Sequence, residues 1–396
     1  MQAPYAHPMM PRALHDEHAR ENFVLDLKIH MEDHVYPGDE LVYERQALPK
    51  FKREHGRAPQ DRHEVRKLME AEPYTQMWSA LARTIQEMLW DDIGSCVERQ
   101  LPELIEKAKD KDKPLGSLRI DPSFVVPRYN DAVHLHCVPG GYHEQVTKDD
   151  VMAGAVYERG AYYYVAGLMG SKAHKAKDTA ETPFMGAQGR GTIGYLKHRR
   201  PELRPKRILD IGCTTGNSTL CYVDAFPGAE IHAVDIAAPC LRYGHAKAEA
   251  LGKKVHYSQQ SGEKLDFEDA YFDVVVSHGL MHETSYKATR NILREVKRVL
   301  KPGGISAHAD PQFSIGLNPY HSFMHDWDTH YNAEPFWGTL HDRHPVEWLA
   351  EAGFDRNRSF AVWLMRGANG PEYQPVSEST EHSRLFRGII FGAEKA

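Results

Sequence analysis

The sequence predicts an α/β fold: a mostly parallel sheet wound by helices, with an antiparallel last strand, following a largely helical N-terminal region. Three observations predict it. From residue 207 onward, short apolar runs alternate with helical patterns. A Gly-rich turn, Asp210-Ile-Gly212-Cys-Thr214-Thr-Gly216, joins the first run to the first helix. The tail closes with two apolar runs that have no helical pattern between them. Strand–helix alternation implies parallel strands joined by right-handed crossovers, whereas strands joined without a crossover pair antiparallel.

Taken in order, residues 1–115 read as mostly helical, with candidate helices over Glu64 to Glu70 and Thr75 to Leu89. In the second, Met77, Leu81, Ile85 and Leu89 recur at helical spacing beside Trp78, which predicts a packed face. Lys107 to Pro114 is charged and ends in Pro, a linker or a helix end. Residues 116–200 hold the turn signal Pro139-Gly140-Gly141, the aromatics Tyr157, Tyr162, Tyr163 and Tyr164, and Gly186, Gly189, Gly191 and Gly194. They read as loops and short helices covering the active face of the α/β part of the chain. Strands are then expected at Arg207 to Ile211, Glu230 to Asp235, Lys254 to Ser258, Phe272 to Ser277, Ile305 to Ala309, Phe360 to Met365 and Leu385 to Phe391. Helices are expected at Asn217 to Ala225, Pro239 to Leu251, Tyr286 to Leu300 and His344 to Ala352. Lys301-Pro-Gly-Gly304 breaks the third of these. The division is an N-terminal region, 1–200, and an α/β domain, 201–396, with a His- and aromatic-rich insertion at 311–345.

Composition narrows the function. At 396 residues, 41% hydrophobic and 26% charged, the chain can bury a core without staples. The net charge of −6 argues against a nucleic-acid binder; the basic runs Lys172 to Lys177 and His198 to Arg207 read as solvated faces. Five scattered cysteines with no CxxC argue against a disulfide framework and fit a cytoplasmic setting. Met1 to His18 has no apolar signal region, and no apolar run is long enough to span a bilayer, so no membrane association is expected.

The chemistry centres on the turn. In an open α/β sheet, ligands sit beyond the carboxyl ends of the strands at the topological switch point. Gly212 and Gly216 allow a sharp turn and close approach to a ligand. Asp235 ends the second strand of the α/β region, where a carboxylate can accept both ribose hydroxyls of an adenosine-type cofactor. A nicotinamide-dependent oxidoreductase uses a similar turn, but its fingerprint is G-x-G-x-x-G. Here the spacing is G-x-T-x-G, and Thr219 stands where the last Gly would be.

Further pieces come in order along the chain: Ala233-Val-Asp-Ile236, Glu263-Lys-Leu-Asp-Phe267, Phe272-Asp-Val-Val-Val-Ser277 and Arg298-Val-Leu-Lys-Pro-Gly-Gly304. With Leu209-Asp-Ile-Gly-Cys-Thr-Thr-Gly216, this set resembles the class I S-adenosylmethionine-dependent methyltransferases, in particular the ubiquinone/menaquinone C-methyltransferase-like branch, from Arg207 to about Asp310. The resemblance implies a Rossmann-like methyltransferase fold, a seven-stranded, mostly parallel sheet with an antiparallel last strand, and S-adenosylmethionine as cofactor. It implies that Asp210, Gly212, Thr214 and Gly216 frame the methionine part, that Asp235 holds the ribose and that Ile236 packs on the adenine. Ser261, Gly262 and Glu263 would border the adenine ring; many relatives have Asp where this chain has Ser261. Ser277 and His278 would approach the sulfonium, and Tyr157 would lie over the cofactor.

Methyl transfer from a sulfonium is an in-line displacement driven largely by alignment, with a base needed only when the acceptor loses a proton. The catalytic candidates are His278, His282 and Glu283, which follow the fourth strand of the α/β region. The insertion suits a lid over a small-molecule acceptor of aromatic or apolar character. His321 and His325, like His278 and His282, lie four apart, but with 24 histidines such pairs arise by coincidence, and no metal is expected. The N-terminal region reads as one wall of the acceptor pocket or as a homodimer surface. A non-catalytic scaffold that keeps the fold, and a protein or RNA methyltransferase, are the remaining alternatives.

Overall fold

The structure is a computed structural model describing residues 7–109, 113–171, 186–311, 314–367, 370–376 and 388–396. The Lys172 to Lys177 basic run and residues 385–387 of the expected last strand lie outside the described residues. The strands are β1 Ser117–Arg119, β2 Arg207–Ile211, β3 Glu230–Asp235, β4 His256–Gln259, β5 Phe272–His278, β6 Leu300–Pro311, β7 Ser359–Gly367, β8 Gly370–Pro375 and β9 Gly388–Ala393. They form one sheet in the order β1-β4-β3-β2-β5-β6-β9-β7-β8. Pairing is parallel from β1 through β6. It is antiparallel where β9 lies between β6 and β7, and where β7 pairs with β8.

The sheet thus holds the seven expected strands and two edge strands besides. Both additions are short and lack apolar alternation: β1 is Ser-Leu-Arg, and β8 carries Gly370, Pro371 and Pro375. The Lys301–Gly304 segment does not separate helix from strand. It belongs to β6, which shifts register against β5 between Phe272 and Val274 and turns Gly303 to φ 74°.

Alternate residues of the strands feed two cores. Leu209, Ile211 and Val275 face the helices Tyr286–Val299 and Pro345–Glu351. Ile208, Val274 and Val276 face the helices Ala187–Arg199, Thr219–Ala225 and Ala238–Ala250. Helix Tyr286–Val299 starts where the Ser285 hydroxyl accepts from Ala288 N, and buries Ile292, Leu293, Val296 and Val299. Each such side chain contributes roughly 1.5–3 kcal/mol of burial.

A third core lies in the N-terminal region. It joins helices His15–His30, Arg62–Met69 and Pro73–Glu98 to helix Met152–Leu168 and to Tyr320, Phe323, Met324 and Trp327 of the insertion. The face expected for the second candidate helix is rotated. Ile85 and Leu89 are buried with Trp78, but Met77 and Leu81 are 42% and 43% exposed. The chain continues the stripe through Trp90, Ile93 and Val97 instead. Residues 116–200 are more helical than expected, because helix Met152–Leu168 is buried on nearly every side and shows no amphipathic period. Its glycines admit neighbours: a Cβ at Gly160 would come within 2.2 Å of the Trp90 ring.

Candidate active site

The strand order reverses beside β2, whose neighbours β3 and β5 lead away in opposite directions. Gly212 to Gly216 leaves β2 at this switch point. Three residues there have left-handed φ: Gly212 at 73°, Thr214 at 44° and Gly216 at 79°. A Cβ at Gly216 would lie 2.3 Å from the Tyr257 hydroxyl, so only glycine fits.

Two carboxylates brace the loop. Asp235 Oδ2 accepts from Thr214 N at 2.8 Å, and its Oδ1 accepts from Ala237 N at 2.9 Å. Burial pushes Asp235 up to about 6, with the backbone N–H groups opposing the shift. Each oxygen keeps a further lone pair for a ribose hydroxyl. Asp210 Oδ2 accepts from Thr219 Oγ1 at 2.6 Å, and its Oδ1 lies 3.2 Å from His278 Nδ1. These residues fit a nucleoside cofactor: a tight turn with buried acceptors on the strand tips beside it.

The other expected cofactor residues fall around this loop in different ways. Ile236 follows Asp235, and its carbonyl accepts from Gln259 Nε2. Ser261 Oγ accepts from Glu263 N, and Glu263 accepts from Asn291 Nδ2 at 2.8 Å. Gly262 packs against Ile211, where a Cβ would sit 2.8 Å from Cγ2. Tyr157, on helix Met152–Leu168, meets Tyr142 edge-on, and burial raises its phenol pKa, with the Thr214 side chain opposing the shift. Ser277 is fully buried, with its hydroxyl 2.8 Å from His308 Nδ1.

The three catalytic candidates separate. His278 lies against Asp210 and the Tyr222 hydroxyl, on the side of helix Thr219–Ala225. His282 and Glu283 occupy the short turn Met281–Glu283 on the other side of the rim. His282 Nδ1 is 2.8 Å from Asp310 Oδ1, and its Nε2 is 3.4 Å from Glu283 Oε1. Burial lowers the His282 pKa, but hydrogen bonds to Asp310 and Glu283 outweigh it and raise it to about 10. The His321/His325 pair stays apart from this cluster: His321 lies beside Glu40, and burial lowers His325 to about 4.

Sequence reasoning missed three participants. His136 Nε2 is 2.8 Å from Glu283 Oε1, and its Nδ1 is 2.8 Å from Glu334 Oε1. Glu158 is buried beneath the loop. It accepts from Thr215 Oγ1 (2.6 Å), Asn217 Nδ2 (2.9 Å) and Lys247 Nζ (2.9 Å), and lies 3.1 Å from His7 Nε2. Burial alone would raise Glu158, but Lys247 and His7 hold it well below the usual carboxylate range. No spacing links these residues; only Glu158, next to the expected Tyr157, had a neighbour that pointed to it.

Comparison with known proteins converges on the same segment. Residues 208–304 match the methyltransferase domain family. A demethylmenaquinone methyltransferase of Thermus thermophilus is 38% identical over 104 residues, 26% of this chain and 46% of that protein. One from Staphylococcus carnosus is 27% identical over 179 residues, 42% of this chain and 69% of that protein. The chain therefore spans about half the length of the first of these relatives. Among solved structures, a phosphoethanolamine N-methyltransferase 2 of Haemonchus contortus is 16% identical with a TM-score of 0.38, covering 52% of each chain. In its matched segment and its strand order, the α/β part of the chain is similar to the class I S-adenosylmethionine-dependent methyltransferases. Within that class it is similar to the menaquinone-methyltransferase branch. Among the described residues, no helix is long and apolar enough to cross a membrane.

Proposed function

We propose that the chain is an S-adenosylmethionine-dependent methyltransferase that transfers a methyl group to a small-molecule acceptor. The observation that carries this reading is the left-handed loop Gly212–Gly216 at the sheet's switch point, backed by Asp210 and Asp235 inside the matched segment. On this reading Asp210, Gly212, Thr214 and Gly216 frame the methionine moiety, and Asp235 accepts the ribose hydroxyls. Ile236, Ser261, Gly262 and Glu263 border the adenine, and Tyr157 covers the cofactor. His278 orients Asp210 and is a positioning residue.

The cofactor supplies an electrophilic methyl group. Held by Asp210, Gly212, Thr214, Gly216 and Asp235, it would offer that methyl carbon to a lone pair or carbanion of the acceptor, with S-adenosylhomocysteine as the neutral thioether product. This chain's residues bind and align the reactants, worth several kcal/mol of barrier in well-oriented systems. The acceptor side is lined by His282 and Glu283, with Trp337 against His282 and Tyr142 beside His136. The buried aromatic surface favours a flat acceptor. The names of the two relatives make a demethylated quinone the first acceptor to try.

The test is incubation with methyl-labelled S-adenosylmethionine and demethylmenaquinone, and separately with small-molecule extract, read by mass spectrometry. A labelled small product is expected. Labelled protein or RNA in its place, or no S-adenosylhomocysteine formed with any acceptor pool, refutes the reading.

A further inference from the structure

The geometry points to a divalent transition-metal site built from His136, His282 and Glu283. One donor atom from each lies within 4.8 Å of the others. Glu283 Oε1 is 2.8 Å from His136 Nε2 and 3.4 Å from His282 Nε2. Small side-chain shifts bring three such donors to the roughly 2.0–2.2 Å ligand distances of zinc.

The surroundings are those of a metal site. Each imidazole that offers Nε2 has a carboxylate on its other nitrogen: Glu334 Oε1 lies 2.8 Å from His136 Nδ1, and Asp310 Oδ1 lies 2.8 Å from His282 Nδ1. Paired carboxylates of this kind fix the tautomer and raise the basicity of a ligating histidine. They are held in turn. Asn332 Nδ2 donates to Glu334 Oε1 at 2.8 Å, and the N–H groups of Met281 and His282 lie 3.4 Å from the Asp310 carboxylate. The His136 carbonyl accepts from Trp90 Nε1 at 2.7 Å, anchoring its loop to the N-terminal helices.

A second observation points independently to a cation. Glu334 is fully buried, yet among the described residues its Oε2 has no hydrogen-bond partner, and it faces His282 Nε2 at 3.9 Å. Glu283 Oε2 is also buried without a partner among those residues. Leaving carboxylate oxygens unsatisfied in a protein interior is costly. A divalent ion would take the place of the Nε2 protons of His136 and His282 and balance the charge of Glu283, Glu334 and Asp310. Two histidines and one carboxylate suit zinc, iron(II) or manganese, and leave positions for water or an acceptor oxygen. The site stands without the methyltransferase reading, although it borders the acceptor side on that reading.

The test uses the full chain, stripped by chelator and titrated with Co(II) and Zn(II). One ion per chain is expected, with a ligand-field absorption for Co(II). Proton NMR of the Co(II) form should show two shifted exchangeable imidazole N–H signals, from the Nδ1 positions held by Glu334 and Asp310. Binding should be lost in His136→Ala, His282→Ala and Glu283→Gln, weakened about 10–100-fold in Asp310→Asn, and unchanged in the surface control His55→Ala. Circular dichroism checks folding of each variant. The wild-type NMR signature decides the matter even where a variant fails to fold. Absence of stoichiometric binding, absence of the two N–H signals, or full binding in folded ligand variants overturns the site. S-adenosylhomocysteine titration of the same samples separates failure here from failure of the methyltransferase reading.

Discussion

The cofactor loop and the His/carboxylate cluster share one rim of the sheet but are assembled in opposite ways. The loop is contiguous: Asp210 to Gly216 leaves β2, and Asp235 joins from the adjacent strand tip. The cluster gathers His136, His282, Glu283, Asp310 and Glu334 from four distant segments. A site coded by backbone turns needs glycines at fixed offsets, and so is written locally. A site made of converging side chains depends on how the N-terminal region and the insertion close over the sheet. Glu158 couples the two styles, because it reaches from helix Met152–Leu168 to the loop's Thr215 and Asn217.

That coupling gives the sharpest way to break the comparison. If the loop is held from outside, Glu158→Ala should be severe. It strands the Lys247 ammonium, which is buried and whose pKa is already lowered by that burial. Removing one partner of such a pair costs about 3–5 kcal/mol. Urea unfolding should show a loss of that size. A cost below about 1 kcal/mol would mean that the loop holds itself.

The next test asks whether the two regions act separately. Asp235→Asn should weaken S-adenosylhomocysteine binding about 10–100-fold, or roughly 1.4–2.8 kcal/mol. Among the described residues Glu334 meets His136, His282 and Asn332, so Glu334→Gln should leave that affinity within about twofold. Calorimetric titration of both variants reads the contrast. Equal losses would merge the regions into one site.

The pH dependence of cofactor binding sharpens the assignment further. The Asp235 pKa is raised to about 6, chiefly by burial. Above pH 6 the carboxylate is ionised and accepts two hydroxyls; below it the neutral acid accepts poorly. Affinity should therefore be flat at higher pH and fall about tenfold per unit as pH drops below 6. Asp235→Asn should remove that slope. An unchanged slope in the variant would assign the proton to another group.

The division between legible and hidden parts follows the same physics. The seven central strands, five parallel and two antiparallel, could be read because buried strands show as apolar runs bounded by turns, as in Phe272 to Ser277. Strand β1 could not, since Ser117-Leu-Arg119 is too short to show a period. Helix Met152–Leu168 was hidden because it is buried on most sides. Of the candidate site, the positions of Gly212, Gly216, Asp210 and Asp235 were legible from local spacing. His136 and Glu334 were not, because nothing in either segment announces its partner. His278 and His282 show the limit in miniature: four residues apart, they point to different sides of the rim and different carboxylates.

The smallest expected effect concerns Ser277, which motif reasoning places near the sulfonium. Its hydroxyl is 2.8 Å from His308 Nδ1, and the residue is fully buried. Burial, helped by His278, lowers His308 to about 3, so the ring stays neutral near pH 7 and its Nδ1 needs only a neutral partner. Ser277→Ala should then cost about 1 kcal/mol of stability, the worth of one neutral hydrogen bond. Cofactor affinity should change less than about twofold, because the hydroxyl is engaged by His308 in the interior. Thermal unfolding and S-adenosylhomocysteine titration measure the two quantities on one sample. A tenfold loss of affinity with unchanged stability would turn the serine toward the cofactor, and would show that a strand end can read locally even when its side chain is engaged in the interior.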